Sequence, residues 1–168
     1  MGDVCLVSKT AMSPEEQTDF LTRTRCIAKI STLDEDGTMH MVPVWYMYDG
    51  QNYVITSDAG SHHVKNLRRD NRATVLIDTV QFPTKGVRIK GRTALEENGN
   101  KVHSLELEIT RRYISDAEKA EDYVNARESK SRRVAIIVSP EHVSNWDYSK
   151  DTKEKEFFKD SPVYSLSG

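Results

Sequence analysis

The run Gly60-Ser61-His62-His63-Val64-Lys65-Asn66 brings a hydroxyl, two imidazoles, an ammonium and an amide together. Val64 and Leu67 are apolar at helical spacing, and Ser61 stands where a cap belongs. A helix that begins here presents free backbone N–H groups and the positive end of its dipole. These residue types at a helix start describe an anion site, and the expectation is that a phosphate sits there. Upstream, Pro43-Val44-Trp45-Tyr46 forms an apolar and aromatic stretch along which a flat ring can lie.

The elements that must position these groups can be read outward from them. Residues 41–48 alternate as a strand, and Asp49-Gly50 is a hairpin signal because glycine tolerates the positive φ of such turns. Residues 53–57 return as a second strand carrying Ile55, Thr56 and Ser57 to the glycine break, and a helix follows over 61–71. Earlier, Ser13-Pro14-Glu15-Glu16 carries a capping box and starts a helix that runs to about residue 23. Residues 26–33 read as a strand and Asp34-Glu35-Asp36-Gly37 as a turn. Later, 73–78 is a buried strand by its continuous apolar run. Residues 86–95 alternate, with Val87, Ile89 and Gly91 on one face and Arg88, Lys90 and Arg92 on the other.

Two helices are expected over 101–113 and 116–126, then strands over 135–138 and 143–148 separated by a break at Pro140-Glu141-His142. Residues 1–150 make one domain, and 151–168 form a polar tail that is poorly ordered or ordered only by a partner. Six to seven strands joined mostly by hairpins, with few helices, predict a mostly β, α+β fold: a barrel with helices at its ends.

Composition narrows the function classes. With 24 basic and 26 acidic residues and a formal net charge of −2, the chain has no bulk attraction for nucleic acid or membrane. Cys5 and Cys26 lack disulfide or CxxC spacing, which suits a reducing, cytoplasmic setting. No apolar run approaches a signal peptide or a membrane span.

Four segments, taken in order, carry a family resemblance: VPVWYMYDG after a DEDG turn, ITSDAGSHHVKNLRRDNRATVLID, GVRIKGRTAL, and RRVAIIVSPEHVSNWDYSK. Over about residues 14–150 the chain resembles the pyridoxamine 5′-phosphate oxidase-like family of flavin and deazaflavin proteins, which share a six- to seven-stranded split β-barrel of FMN-binding type. The resemblance implies a homodimer with cofactor sites at the subunit interface. It implies that Pro43, Val44, Trp45 and Tyr46 run along the ring, and that Ile55, Thr56 and Ser57 meet the ring edge and ribityl chain. Ser61, His62, His63 and Asn66 would lie near the phosphate, with Lys65 nearby.

Two positions depart from the family pattern. His62-His63 replaces its Arg-Lys pair, and Gly86 stands where the oxidase itself has a flavin-contacting glutamine. No equivalent of the oxidase's substrate-phosphate residues is found.

The expected function is hydride transfer to a small-molecule substrate by an oxidoreductase whose cofactor supplies the chemistry, so no acid–base dyad is required. FMN is the first choice and the deazaflavin coenzyme F-420 the second. The rival is a module that binds flavin or haem without turnover, and a vitamin B6 phosphate oxidase ranks third. Simpler readings stand beside these. Ser61 serves as a helix cap, one of Trp45 and Tyr46 is core, and Arg88, Lys90 and Arg92 form a solvated face. KNLRRDNR is a mixed-charge helix surface, and Cys26 is an inert buried thiol. His40, His103 and His142 lack ligand spacing, so no metal is expected. Protonation of the two helix-start histidines would strengthen phosphate binding near pH 6.5.

Overall fold

A computed structural model describes residues 9–158. Cys5 and the last ten positions of the expected tail, 159–168, lie outside the described residues. Helix α1 (Pro14–Arg23) opens with the expected capping box: the Ser13 hydroxyl accepts from the Glu16 N–H, and the Glu16 carboxylate accepts from the Ser13 N–H at 2.7 Å. Strands β1 (Ala28–Leu33), β2 (Met39–Val44), β3 (Met47–Tyr48) and β4 (Tyr53–Asp58) precede α2 (His62–Arg69). Strands β5 (Arg72–Asp78) and β6 (Lys85–Glu96) lead to the helical hairpin α3 (Gly99–Tyr113) and α4 (Ala117–Glu128). Strand β7 (Arg133–Asp147) completes the sheet.

All seven strands belong to one antiparallel sheet in the order β2-β1-β5-β6-β7-β4-β3. β2 and β3 are therefore its two opposite edges, yet only Trp45 and Tyr46 join them. Three residue steps reach at most about 11 Å. A flat sheet of this width would separate its edges by about 29 Å. The sheet must curl until its edges nearly meet, and the result is a split barrel, as the sequence predicts. The expected continuous strand over 41–48 breaks at Trp45-Tyr46 because the chain crosses there from one edge to the other.

Tyr46 plugs the crossover into the core. Its side chain is fully buried, its hydroxyl donates to the Leu21 carbonyl at 3.1 Å, and the Arg112 guanidinium lies 5.0 Å from its ring centre. Arg112 also donates to the Leu21, Thr22 and Thr24 carbonyls, so one guanidinium from α3 holds the negative C-terminal end of α1. Ile30, Ile55, Val75, Ile77, Val87, Ile89 and Ile136 fill the barrel interior. A second cluster, with Met47, Val54, Val102, Ile109 and Ala135, packs α3 onto the outside of β4 and β7.

Three further expectations change in detail. The break foreseen at 140–142 is a shift of register within β7, opposite Lys90 and Gly91 of β6, so the two predicted strands are one. Gly86 lies under Trp146: a Cβ there would come within 2.3 Å of the indole, so any side chain at this position requires the indole to move. The chain after Ser149 is not irregular throughout, because a helix covers Thr152–Phe158. Just before that helix, Lys150 ties back to Glu16 at 2.5 Å. Phe157 is exposed, so it does not anchor that helix to the barrel.

At the register shift, a Cβ on Gly91 would stand 2.2 Å from the Ser139 carbonyl oxygen, a backbone atom that cannot rotate away. Gly91→Ala is expected to cost about 1–3 kcal/mol, lowering Tm by about 2–4 °C per kcal/mol for a domain of this size. Thermal melting checks this, and an unchanged Tm would show that β7 can yield there.

Candidate functional site

The split between the sheet edges leaves a cleft of about 490 Å³. One wall is the end of β2 and the crossover: Val42, Pro43, Val44 and Trp45. The floor carries Thr56 and Ser57 from β4 and His63 from α2. The opposite wall is the helical hairpin, with Glu106 and Thr110 from α3 and Tyr123 and Arg127 from α4. Trp45 is held flat by Tyr113, stacked at 4.7 Å between ring centres and 10° between planes, with Tyr123 at 5.3 Å. The Tyr113 hydroxyl donates to the Cys26 carbonyl at 2.9 Å and accepts from the Tyr46 N–H at 3.3 Å, which locks the crossover to α3.

Pro43, Val44, Trp45, Thr56, Ser57 and His63 thus come together as the sequence suggests, while Tyr46 and Ile55 do not reach the cleft. Both are fully buried in the barrel core, because alternation along a strand and the plug at the crossover turn them inward. His62, Lys65 and Asn66 also part from the cleft. Neighbouring residues on a helix diverge by about 100°, and His62 points to the acidic turn, with Nε2 2.7 Å from Asp34 Oδ1. Asn66 donates to Asp34 Oδ1 at 2.6 Å and to Thr32 Oγ1 at 3.1 Å, and Lys65 lines the same groove as His62. The two histidines therefore do not act on one point.

Ser61 occupies the N-cap position of α2, but its hydroxyl makes no capping bond. It turns instead toward Ser57 Oγ and His63 Nε2, each at 3.3 Å. His63 Nε2 also lies 2.7 Å from Ser57 Oγ, so Ser57 and His63 on the cleft floor are joined, with Ser61 behind them and outside the cleft lining. Burial, followed by the nearby His40, His62 and Arg133, pushes the His63 pKa down to about 4. The cleft histidine is neutral at pH 7, and its protonation is a strongly acidic event rather than one near pH 6.5.

The fixed positive charge comes from residues the sequence reading passed over. Glu106 is 2% exposed and is held by Arg133 through Nε at 3.0 Å and by Arg127 through Nε at 3.1 Å. A buried carboxylate needs such partners, since removing one leaves an uncompensated charge. The pair on Glu106 orients Arg127, which is half-exposed and lines the cleft. One signal was available: Glu106 shares the apolar face of α3 with Val102, Ile109 and Thr110, where a lone charge demands a partner. Elsewhere, Arg88, Lys90 and Arg92 are exposed as the simpler reading holds, and Arg92 pairs with Glu141 at 3.1 Å. Cys26 is half-buried, and burial raises its thiol pKa, which disfavours the reactive thiolate.

The depressed His63 pKa has a sign that can be checked. A folded-state pKa below the unfolded value of about 6.5 means that the folded protein binds fewer protons. Its stabilising effect is present above pH 6.5 and is lost as pH falls toward 4. Discounted for water in the open cleft, the loss between pH 7 and pH 5 is about 1 kcal/mol. Urea unfolding of the native chain and of His63→Gln at both pH values is expected to show that the variant lacks this part of the acid loss. Equal losses would place the effect on other groups.

No curated protein matches the chain. Among solved structures, a conserved hypothetical protein, Rv2991, from Mycobacterium tuberculosis is 24% identical with a TM-score of 0.73, over 85% of this chain and 89% of that one. A protein titled F420 reductase is 18% identical with a TM-score of 0.59, over 75% and 94%. HutZ, titled a haem storage protein from Vibrio cholerae, is 10% identical with a TM-score of 0.64, over 81% and 98%. Identities this low establish a shared fold. The profile of the pyridoxamine 5′-phosphate oxidase family, however, matches residues 13–147, most of the chain, and the strands and cleft described above fall within that span. The chain belongs to the pyridoxamine 5′-phosphate oxidase-like split-barrel family.

Proposed function

We propose that this protein is an oxidoreductase that binds FMN, or alternatively the deazaflavin F-420, in the cleft between the barrel edge and the helical hairpin. The observation that carries this reading is the pairing of a flat apolar wall with a polar, singly cationic end in one cleft of about 490 Å³. Pro43, Val44 and Trp45 would hold the ring, with Trp45 kept rigid by Tyr113. Thr56 and Ser57 would meet its polar edge, and Arg127 with the Ser57–His63 floor would receive an anionic tail.

The bound ring supplies hydride transfer, and this chain's residues orient it and keep water from one face. Among the cleft residues no acid–base dyad is needed, since both carboxylate oxygens of Glu106 are already engaged by arginines. A haem reading is less well supported, because the His63 Nε2 that would bind iron is already shared between two hydroxyls.

We further propose a homodimer. The barrel strand β6 covers its own apolar face, with Val87 and Ile89 fully buried, so it gives no reason to expect a partner. The edge strand β2 does: Met39 and Met41 are 61% and 59% exposed on one face of a strand with a free edge. Light scattering is expected to give twice the 19.2 kDa chain mass. A monomer at micromolar concentration would remove the shared site.

The function itself is tested by titrating FMN, riboflavin and F-420 against the full chain while following tryptophan fluorescence. Quenching that is lost in Trp45→Phe is expected, because Trp146 packs over Gly86 and does not line the cleft. Arg127→Gln is expected to weaken FMN by about 10–100-fold, the worth of one charge-assisted hydrogen bond. Riboflavin, which lacks the phosphate, should change little. Equal losses for FMN and riboflavin would overturn the assignment of Arg127. Failure of all three ligands, with a haem spectrum on hemin addition, would favour the rival reading.

A further inference from the structure

Beyond the cleft, His40, His62 and Asp34 form a second cluster. They come from three separate elements: the start of β2, the first turn of α2, and the turn that follows β1. One nitrogen or oxygen from each lies within 4.8 Å of the others. His62 Nε2 is 2.7 Å from Asp34 Oδ1, and the His40 and His62 rings stack at 4.6 Å between centres and 28° between planes. A four-coordinate ion with bonds of about 2.0–2.2 Å spaces its ligand atoms about 3.3–3.5 Å apart. The 2.7 Å between His62 and Asp34 is shorter than that and the other separations do not exceed 4.8 Å, so the exposed His62 and the half-buried His40 must turn out of their stacked arrangement to face one ion.

The carboxylate is held in place. Asn66 is buried, is fixed by Thr32 Oγ1 at 3.1 Å, and donates to Asp34 Oδ1 at 2.6 Å. Support of this kind orients a ligating carboxylate in metal sites. The surroundings include Glu35 and Asp36 from the turn and the cations Lys65 and Arg69 from α2, with Arg69 drawn toward Glu35 at 3.8 Å. With Asp34 the acidic groups outnumber the cations. The cluster adjoins the proposed cofactor cleft, since the His40 ring stacks 6.4 Å from that of His63, but none of its three members lines that cleft.

We propose that Asp34, His40 and His62 bind one divalent transition ion, zinc being the natural occupant. Two imidazoles and one carboxylate favour zinc, cobalt, nickel or copper over magnesium and calcium, which prefer oxygen. Three protein ligands leave a fourth position for water. This proposal departs from the sequence expectation of no metal, in which His40 lacked ligand spacing: residues 34, 40 and 62 are distant along the chain and meet through the β1–β2 pairing and the packing of α2 on β1.

The test is a cobalt titration of the chelator-treated full chain at about pH 7.5, where imidazole is mostly neutral. Cobalt bands in the visible should saturate at one equivalent, be abolished by zinc and survive excess magnesium. His40→Ala, His62→Ala and Asp34→Asn should each weaken binding by at least about tenfold, and Asn66→Ala by about tenfold through lost orientation. His142→Ala, at an exposed histidine on β7, should bind as the native chain does. Each variant's Tm, measured alongside, separates loss of ligand from loss of fold. Absence of saturable binding at one equivalent, displacement by magnesium, or undiminished binding in a His40→Ala/His62→Ala double variant would overturn the proposal.

Discussion

The fold depends on a two-residue bridge. Trp45 and Tyr46 must carry the chain between the two outermost strands of a seven-stranded sheet, and that demand alone forces the sheet to close on itself. The bridge is secured from three sides: the Tyr46 hydroxyl on the last turn of α1, Arg112 across its ring, and Tyr113 bonded to its backbone. Closure by so short a link cannot complete the hydrogen-bond ladder, since β2 pairs with β1 alone and β3 with β4 alone. The gap in the ladder becomes the cleft, so the same constraint that makes the barrel also makes the site.

The electrostatics of that site follow from where charge can be kept. His63 is too enclosed to hold a proton at neutral pH, and the lasting positive charge is Arg127, steadied by a buried Glu106 that it shares with Arg133. An anion entering the cleft meets one committed cation and a set of neutral donors rather than a dense basic patch.

Much of the architecture was legible in the sequence, because local chemistry decides it. Ser13-Pro14-Glu15-Glu16 makes its cap wherever it is placed, and the glycine of Asp49-Gly50 turns at a positive φ of 98° whatever packs above. The alternation of 86–95 likewise puts Val87 and Ile89 inside. The misses share one cause: they depend on contacts between distant elements. The family resemblance placed Tyr46 beside Trp45 on the ring wall, but the crossover sends one outward and the other into the core, as the simpler strand reading of the pair holds. Ser61 is the exception, a local miss: it had the right type and position for a cap, yet Ser57 four residues before it and His63 two residues after it compete for its hydroxyl. Nothing near residue 60 announced that a helix some sixty residues later would supply the cation, although a glutamate on the apolar face of α3 was a sign that something charged lay opposite.

The cleft has walls of unequal standing. The barrel wall cannot be altered freely, since Trp45 is next to the plug that closes the sheet. The α3–α4 wall packs on the outside of a completed barrel, and only Glu106 and Thr110 of its cleft residues are buried. Tyr123 and Arg127 sit on α4, one turn apart, with no part in the strand ladder. Descendants of this chain can therefore exchange Tyr123, and Arg127 for another cation that still pairs with Glu106, and change what the cleft admits while the barrel beneath stays as it is. In that sense the hairpin is the protein's replaceable fitting and the barrel its permanent mount.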